Sequence, residues 1–241
     1  MGYHFAWIGL TERGSHCLST GLTMNIQLYG FWRSLASFRV RVALRLKGLP
    51  FEEISIDILS GEQFNPDYDA VNTERVVPTL VHGEHRVFQS LAIIEYLDDL
   101  MPEPRLLPSD PADRAYARSL ALVTIADAHP LVTPRVRNHL VKMFSADANA
   151  IESWAKHWTI EGLATYERLL ERRPAEPFTL GQQVSVADIC IAGQVVGAHF
   201  LNLDVTSFPA VARLAGHCFA TPAFATSHPF EQPDYRATAP R

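Results

Sequence analysis

The stretch Asn25-Ile26-Gln27-Leu28-Tyr29-Gly30, running on through Phe31-Trp32-Arg33-Ser34-Leu35-Ala36-Ser37-Phe38-Arg39 to Lys47-Gly48-Leu49-Pro50, changes its hydrophobic period once. Up to Tyr29 it alternates, with Ile26 and Leu28 on one face, which predicts a strand. Beyond Gly30 the residues Leu35, Val42, Leu46 and Leu49 fall on one helical stripe, and Gly48-Leu49-Pro50 supplies a stop. A strand feeding a helix through a short turn opens a β-α-β unit. Working outward, residues 51–58 alternate again through Ile54, Ile56 and Ile58. Residues 77–81 and 86–88 read as short strands joined across His82-Gly83-Glu84-His85. Ser90 then starts a helix over 91–100. The order is β-α-β, a connecting segment, then β-β-α: a parallel pair bridged by a helix, with an antiparallel hairpin added.

Beyond this unit, Pro102, Pro104, Pro108 and Pro111 make residues 101–111 a linker that cannot continue any regular element. Asp110-Pro111 places an N-cap and a first-turn proline at the head of a helix. From there to about residue 220 the periodicity is helical, with breaks at Pro130, near Ser145, over 174–183 and over 204–209. The expected layout is an N-terminal extension 1–23, an α/β domain 24–101 and an all-α domain 110–234. Residues 1–23 carry neither the basic start and long apolar run of a secretory signal nor an Arg-rich transit pattern. They read as an upstream start or an appended arm ahead of Met24.

Across the 241 residues, 47% are hydrophobic and 20% charged, with mean hydropathy near zero, so a sizeable core can be buried. The net charge of −5 has the wrong sign for a protein that grips phosphate backbones, which argues against nucleic acid as the main partner. No apolar run is long enough to span a membrane. Three widely spaced cysteines, Cys17, Cys190 and Cys218, build neither a disulfide framework nor a Cys-x-x-Cys site, and fit a reducing, cytoplasmic setting. Cys190 and Cys218 sit among apolar residues and read as inert core thiols.

Chemistry has three natural places. The turn Trp32–Arg39 ends at a helix start, where unpaired N–H groups favour an anion such as a thiolate. A hydroxyl from Ser34 or Ser37 could donate to a bound sulfur, or either serine could merely cap the helix. In Val76-Val77-Pro78-Thr79-Leu80, proline at a strand start suits a cis bond that opens the strand and exposes the Val77 backbone to a peptide-like ligand; an ordinary edge strand is the alternative. Gln89-Ser90 precedes the helix 91–100, with Ser90 either the N-cap or part of a carboxylate seat. Other groupings read as structure: Trp154, His157 and Trp158 as a packed helical stripe, and Ser185-Val186-Ala187-Asp188 as a capping box. His82 and His85 share a hairpin turn with no third metal ligand suggested.

The run Arg33-Ser34-x-x-Ser37-x-Arg39-Val40-Arg41-Val42-Ala43-Leu44 resembles the glutathione transferase superfamily, taken with Lys47-Gly48, Gln63-Phe64, Val77-Pro78 and Gln89-Ser90-Leu91-Ala92-Ile93-Ile94-Glu95-Tyr96-Leu97. More narrowly it is similar to the zeta class, which includes maleylacetoacetate and maleylpyruvate isomerases. The likeness continues through Leu107–Pro111, Asp127–Leu131, Trp154–Trp158, 178–188 and Gln232-Pro233-Asp234, and leaves out 1–23. The resemblance implies a thioredoxin-like N-terminal domain that holds glutathione, an α-helical C-terminal bundle domain completing the substrate pocket, and a homodimer. By the same resemblance Val77 would pair with the cysteinyl backbone beside cis-Pro78, and Gln89 and Ser90 would bind the γ-glutamyl end. Gln63 would contact the tripeptide, and Ser34 would face its sulfur. The thiolate would add to a cis double bond conjugated to a carbonyl, rotation would follow, and elimination would return glutathione unchanged. Dicarboxylate or keto-acid substrates call for arginines, and Arg33 and Arg135 match family arginines given that role.

Three departures stand out. The family's Ser-Ser-Cys-Ser is Ser34-Leu35-Ala36-Ser37, its polar pair after His-Pro-Leu is Val132-Thr133, and its Ala-Arg-Arg-Phe-like run stands as Ala198-His199-Phe200, which removes one substrate arginine. The sequence thus predicts a cytoplasmic, glutathione-dependent cis–trans isomerase of maleylacetoacetate-like substrates in aromatic amino acid (tyrosine) degradation. The alternatives are maleylpyruvate isomerisation, conjugation of small electrophiles, or a non-catalytic binding module on the same fold.

Overall fold

A computed structural model describes residues 25–235. The segment 1–23, with its Cys17 and the Met24 that follows, lies outside them. Strand β1 (Ile26–Gly30) buries Ile26 and Leu28, as the alternation requires. The chain turns through Phe31–Arg33 into α1 (Leu35–Leu46), and β2 (Glu52–Ser55) then returns parallel to β1. Gly48, at φ +64°, ends α1 in the left-handed conformation that glycine adopts without strain. The hairpin follows as β3 (Thr79–His82) and β4 (His85–Phe88), with β3 antiparallel to β1. The sheet order is β2-β1-β3-β4.

Three details differ from the sequence expectation. The strand predicted over 51–58 is confined to Glu52–Ser55, because β2 lies at the sheet edge with only β1 to pair with. The hairpin loop is two residues, Gly83-Glu84, since His82 and His85 still pair. The connecting segment holds a 3₁₀ turn, Glu62–Phe64, and a short helix α2 (Pro66–Asp69). Helix α3 (Ser90–Leu100) closes this part.

The proline-rich linker is held by one buried ion pair. Lys47 Nζ donates to Asp98 and to the Met101 and Pro104 carbonyls, while Asp98 also accepts from the Leu106 and Leu107 amides. The end of α1, α3 and the linker therefore share a single polar knot.

The rest is helical. Helix α4 (Pro111–Leu122) is capped by Asp110, which accepts from the Ala112 and Asp113 amides. It widens into a π-type turn over Val123–Ala128 and tightens into a 3₁₀ turn, His129–Val132, where Pro130 breaks the helix. Helices α5 (Pro134–Phe144) and α6 (Ala148–Leu170) follow, separated at Ser145, whose φ is +52°. The central helix α7 (Val186–Phe200) is apolar almost all round and buried by α1, α4, α6 and α8 (Pro209–Phe219). A short α9 (Pro222–Ala225) packs back on α1.

The capping box holds: the Ser185 amide and hydroxyl both donate to Asp188. Gly162 on α6 is a forced glycine, because a Cβ there would lie 2.8 Å from Gln194 Nε2 and 2.9 Å from the Ala128 Cβ. The Trp154 stripe packs in part: Trp154 Nε1 donates to the Leu131 carbonyl and its ring meets that of Trp158 at 5.7 Å, whereas His157 is exposed at the stripe's solvent side. Burial pushes the Cys190 thiol up to about 12 and raises that of Cys218, so neither is a thiolate at neutral pH.

Candidate active site

Where the sheet meets the helical part, the carboxyl end of β1 and the amino ends of α1 and α3 face the π-type turn and α5 across a cavity of about 450 Å³. Among the described residues, five arginines (33, 39, 75, 135 and 137) and one carboxylate, Glu74, line it, so the field inside favours anionic ligands.

The turn after β1 separates the two candidate serines. Ser34 lines the cavity and is the N-cap of α1, its Oγ accepting from the Ser37 amide at 3.1 Å. The capping role occupies an acceptor lone pair and leaves the hydroxyl proton to be donated elsewhere. Ser37 is buried and its Oγ accepts from the Phe31 amide, which points it away from the cavity. The tail fixes this turn, since Asp234 accepts from the Trp32 amide and from Ser55 Oγ.

The Val77-Pro78 bond is cis, as the sequence predicts, and both residues line the cavity. Tyr68 and Asn72 grip the turn by donating to the Val76 carbonyl while they contact Thr79 Oγ1. Among the described residues, the Val77 backbone has no hydrogen-bond partner. Gln63, on the 3₁₀ turn after β2, brings a buried Oε1 that likewise lacks a partner.

Gln89, not Ser90, takes the N-cap position of α3. Gln89, at φ +68°, is the N-cap residue of α3 and makes no side-chain cap bond; its amide donates to both oxygens of Glu74, at 2.7 and 3.0 Å. Ser90 is the first helical residue rather than the cap, and its Oγ accepts from Arg39 Nε at 3.1 Å.

Arg39, Arg137 and His129 line the cavity without having been among the expected site residues. The Arg39-Val40-Arg41 run contains two fully buried guanidiniums with opposite fates. Arg41 is satisfied by Glu53 at 2.7 Å and by the carbonyls of Trp32, Phe31 and Ser227. Among the described residues Arg39 reaches only Ser90, and its Nη1 is out of solvent with no partner there. Charges inside an apolar helix were the available signal, but which one faces a carboxylate depends on β2.

Burial, with the Arg39 charge adding to it, pushes His129 down to about 3. His129 is therefore neutral at physiological pH. Because the unfolded chain binds a proton near 6.5 and the folded one does not, stability falls as pH drops from about 6.5 toward 3, by at most ~1.4 kcal/mol per pH unit. Unfolding curves at pH 7 and pH 5 should show this loss, and His129→Gln should reduce it; an unchanged pH dependence in that variant would contradict the assignment.

Of the two expected substrate arginines, Arg33 is half-buried with its Cζ 5.1 Å from the Phe200 ring centroid, and Arg135 lines the cavity while remaining exposed. Burial and the nearby Arg137 charge lower the Arg33 pKa, though the group stays cationic. In the run Ala198-His199-Phe200 that lacks the family arginine, His199 is exposed and does not line the cavity, whereas Phe200 does.

Comparison with known proteins returns one consistent picture. The family model for the glutathione S-transferase N-terminal domain matches residues 24–99. A probable maleylacetoacetate isomerase of Vibrio cholerae is 37% identical, over 88% of this chain and 99% of that protein. The holo structure of a maleylpyruvate isomerase, described as a bacterial zeta-class glutathione S-transferase, superposes with a TM-score of 0.84 at 36% identity, covering 87% of this chain and all of that one. A maleylacetoacetate isomerase from Methylobacterium extorquens, solved with bound malonate and glutathione, gives a TM-score of 0.82 at 39% identity, covering 88% of this chain and all of that one.

Proposed function

The chain belongs to the zeta-class glutathione transferases, the family of the maleylacetoacetate isomerases, and we propose that it catalyses glutathione-dependent cis–trans isomerisation of maleylacetoacetate or a close cis-diacid relative. The observation that carries this reading is a set of unsatisfied groups along one wall of the cavity: Arg39 Nη1, Gln63 Oε1 and the Val77 backbone. A γ-glutamyl tripeptide fits that set, since it brings a carboxylate, peptide N–H groups and a peptide bond to be paired.

Arg39 and Ser90, backed by the amino end of α3, would hold the γ-glutamyl carboxylate, with Gln89 beside them against Glu74. Val77 at the cis turn would pair with the cysteinyl backbone, and Gln63 would accept from a peptide N–H. When bound, glutathione supplies the sulfur nucleophile that adds to the conjugated double bond and later leaves it. Ser34 would donate its hydroxyl proton to that sulfur, and the unpaired amides at the start of α1 favour its thiolate form. Arg33 and Arg135 would orient the diacid by its carboxylates. Neutral His129 adds no charge of its own to this wall. The reading includes a homodimer, for which exposed Phe88 on the edge strand and Leu122 on α4 offer apolar surface, and a cytoplasmic role in aromatic catabolism.

The apolar contributions of Leu35, Ala36 and Val132 to the lining favour one second reading, conjugation of small uncharged electrophiles. A single assay separates the two. With purified protein, loss of the cis isomer of maleylacetoacetate or maleylpyruvate should be accelerated only when glutathione is present. No acceleration with either substrate, alongside turnover of an uncharged haloarene, would establish the second reading instead.

A further inference from the structure

We propose that Arg137, beside Arg33, binds the outer carboxylate of the substrate and takes over the role of the arginine that Ala198-His199-Phe200 lacks. This assignment rests on the isomerase reading above and extends it to a residue outside the family pattern quoted for this chain. Arg137 lies on α5 and lines the cavity together with Arg33 and Phe200, whose guanidinium and ring lie 5.1 Å apart. Its guanidinium makes no hydrogen bond or ion pair with any described residue, and its Nε is out of solvent without a partner. The side chain is thus under-satisfied as it stands, and a small rotation onto a carboxylate would supply the missing acceptor.

Charge completes the argument. Burial lowers the Arg33 pKa and the charge of Arg137 adds to it, so the two guanidiniums lie within electrostatic reach of each other and together raise the positive potential of the cavity. Glu74, the only carboxylate among the described residues that line the cavity, is engaged by Gln89. A planar carboxylate accepting from Arg137 gives the orphaned Nε its acceptor and is drawn in by the positive charge of both arginines. The cation lost from the end of α7 is in this way returned from α5. An uncharged electrophile has nothing to place there, so the pair selects diacids over neutral substrates.

The test uses the full chain and malonate as the probe. By calorimetry, Arg137→Ala should weaken malonate binding about 10- to 100-fold, the range expected for a charge-assisted bidentate contact. KM for the diacid substrate should rise by a similar factor, while turnover of an uncharged electrophile changes less than about threefold. Arg137→Lys should recover part of the malonate affinity, and Arg172→Ala, which removes an exposed arginine outside the cavity, should have no effect on it. Equal malonate affinity in Arg137→Ala and the unsubstituted protein, or no malonate binding by either, overturns the proposal. Loss of malonate affinity in a protein that isomerises no diacid would leave the anion seat standing and sink the isomerase reading.

Discussion

Arg39→Met should weaken glutathione binding by a factor of about 30 to 5,000 while leaving the unliganded protein as stable as before, or more so. Removing one partner of a buried, hydrogen-bonded charge pair typically loses ~2–5 kcal/mol of binding, and here the missing partner would be a ligand carboxylate. The free protein tells the other half. Its Arg39 charge is buried with one bond, to Ser90 Oγ, and an orphaned Nη1, an arrangement that a methionine of similar length relieves. Arg41, one residue pair away and equally buried, gives the contrast: its partners lie within the protein, so Arg41→Met should unfold the chain at lower temperature. Calorimetric titration with glutathione and a thermal melt without it decide the matter. A melt lowered by several degrees with unchanged glutathione affinity would make Arg39 structural. A second readout is independent of both, because loss of the Arg39 charge should let the His129 pKa rise from its present value of about 3.

Asp98→Ala should produce the largest loss of stability in the molecule's first half. Lys47 Nζ lies in a fully buried knot and donates to Asp98 and to the Met101 and Pro104 carbonyls, and Asp98 takes the Leu106 and Leu107 amides. Truncating the carboxylate strands a buried ammonium and two buried N–H groups, for which ~3–5 kcal/mol is expected. For a protein of this size that is a fall in Tm of roughly 6–20 °C. The double variant Lys47→Met with Asp98→Ala should regain part of the loss but not all, because the two linker amides stay unsatisfied. Urea unfolding of the three proteins measures this, and a single-variant loss below about 1 kcal/mol would show that water enters the knot.

These two expectations also mark how far the sequence could be read. Local signals were legible: the alternation at Ile26 and Leu28, the stop at Gly48, the cap at Asp110 and the box at Ser185 each depend on residues within a few positions of one another. The cis bond before Pro78 was one of two local readings, a cis opening or an ordinary edge strand, and the structure has the first. The edge strand was over-read, because alternation continues through Ile58 although no second partner exists for β2. Ser90 was half-read: its position before an apolar helix suggests a cap, but Arg39, 51 residues away in the chain, claims its oxygen.

The site divides along the same line. The expected residues Ser34, Gln63, Val77, Pro78, Gln89, Ser90, Arg33 and Arg135 all line one cavity. Ser37 does not, since its hydroxyl turns back to the Phe31 amide. Arg137 could not have been found by motif, because what distinguishes it from Arg135 two positions earlier is the direction in which α5 presents each side chain. Element order and the turn chemistry follow from periodicity and backbone preference, which act over a few residues and are written in consecutive letters. Which buried arginine keeps a partner, which serine faces the cavity and which cations meet at its mouth were settled by the packing of α5 and α7 against the sheet. Electrostatics and burial are properties of that assembled space, where the groups that neutralise or orphan a charge come from distant parts of the chain.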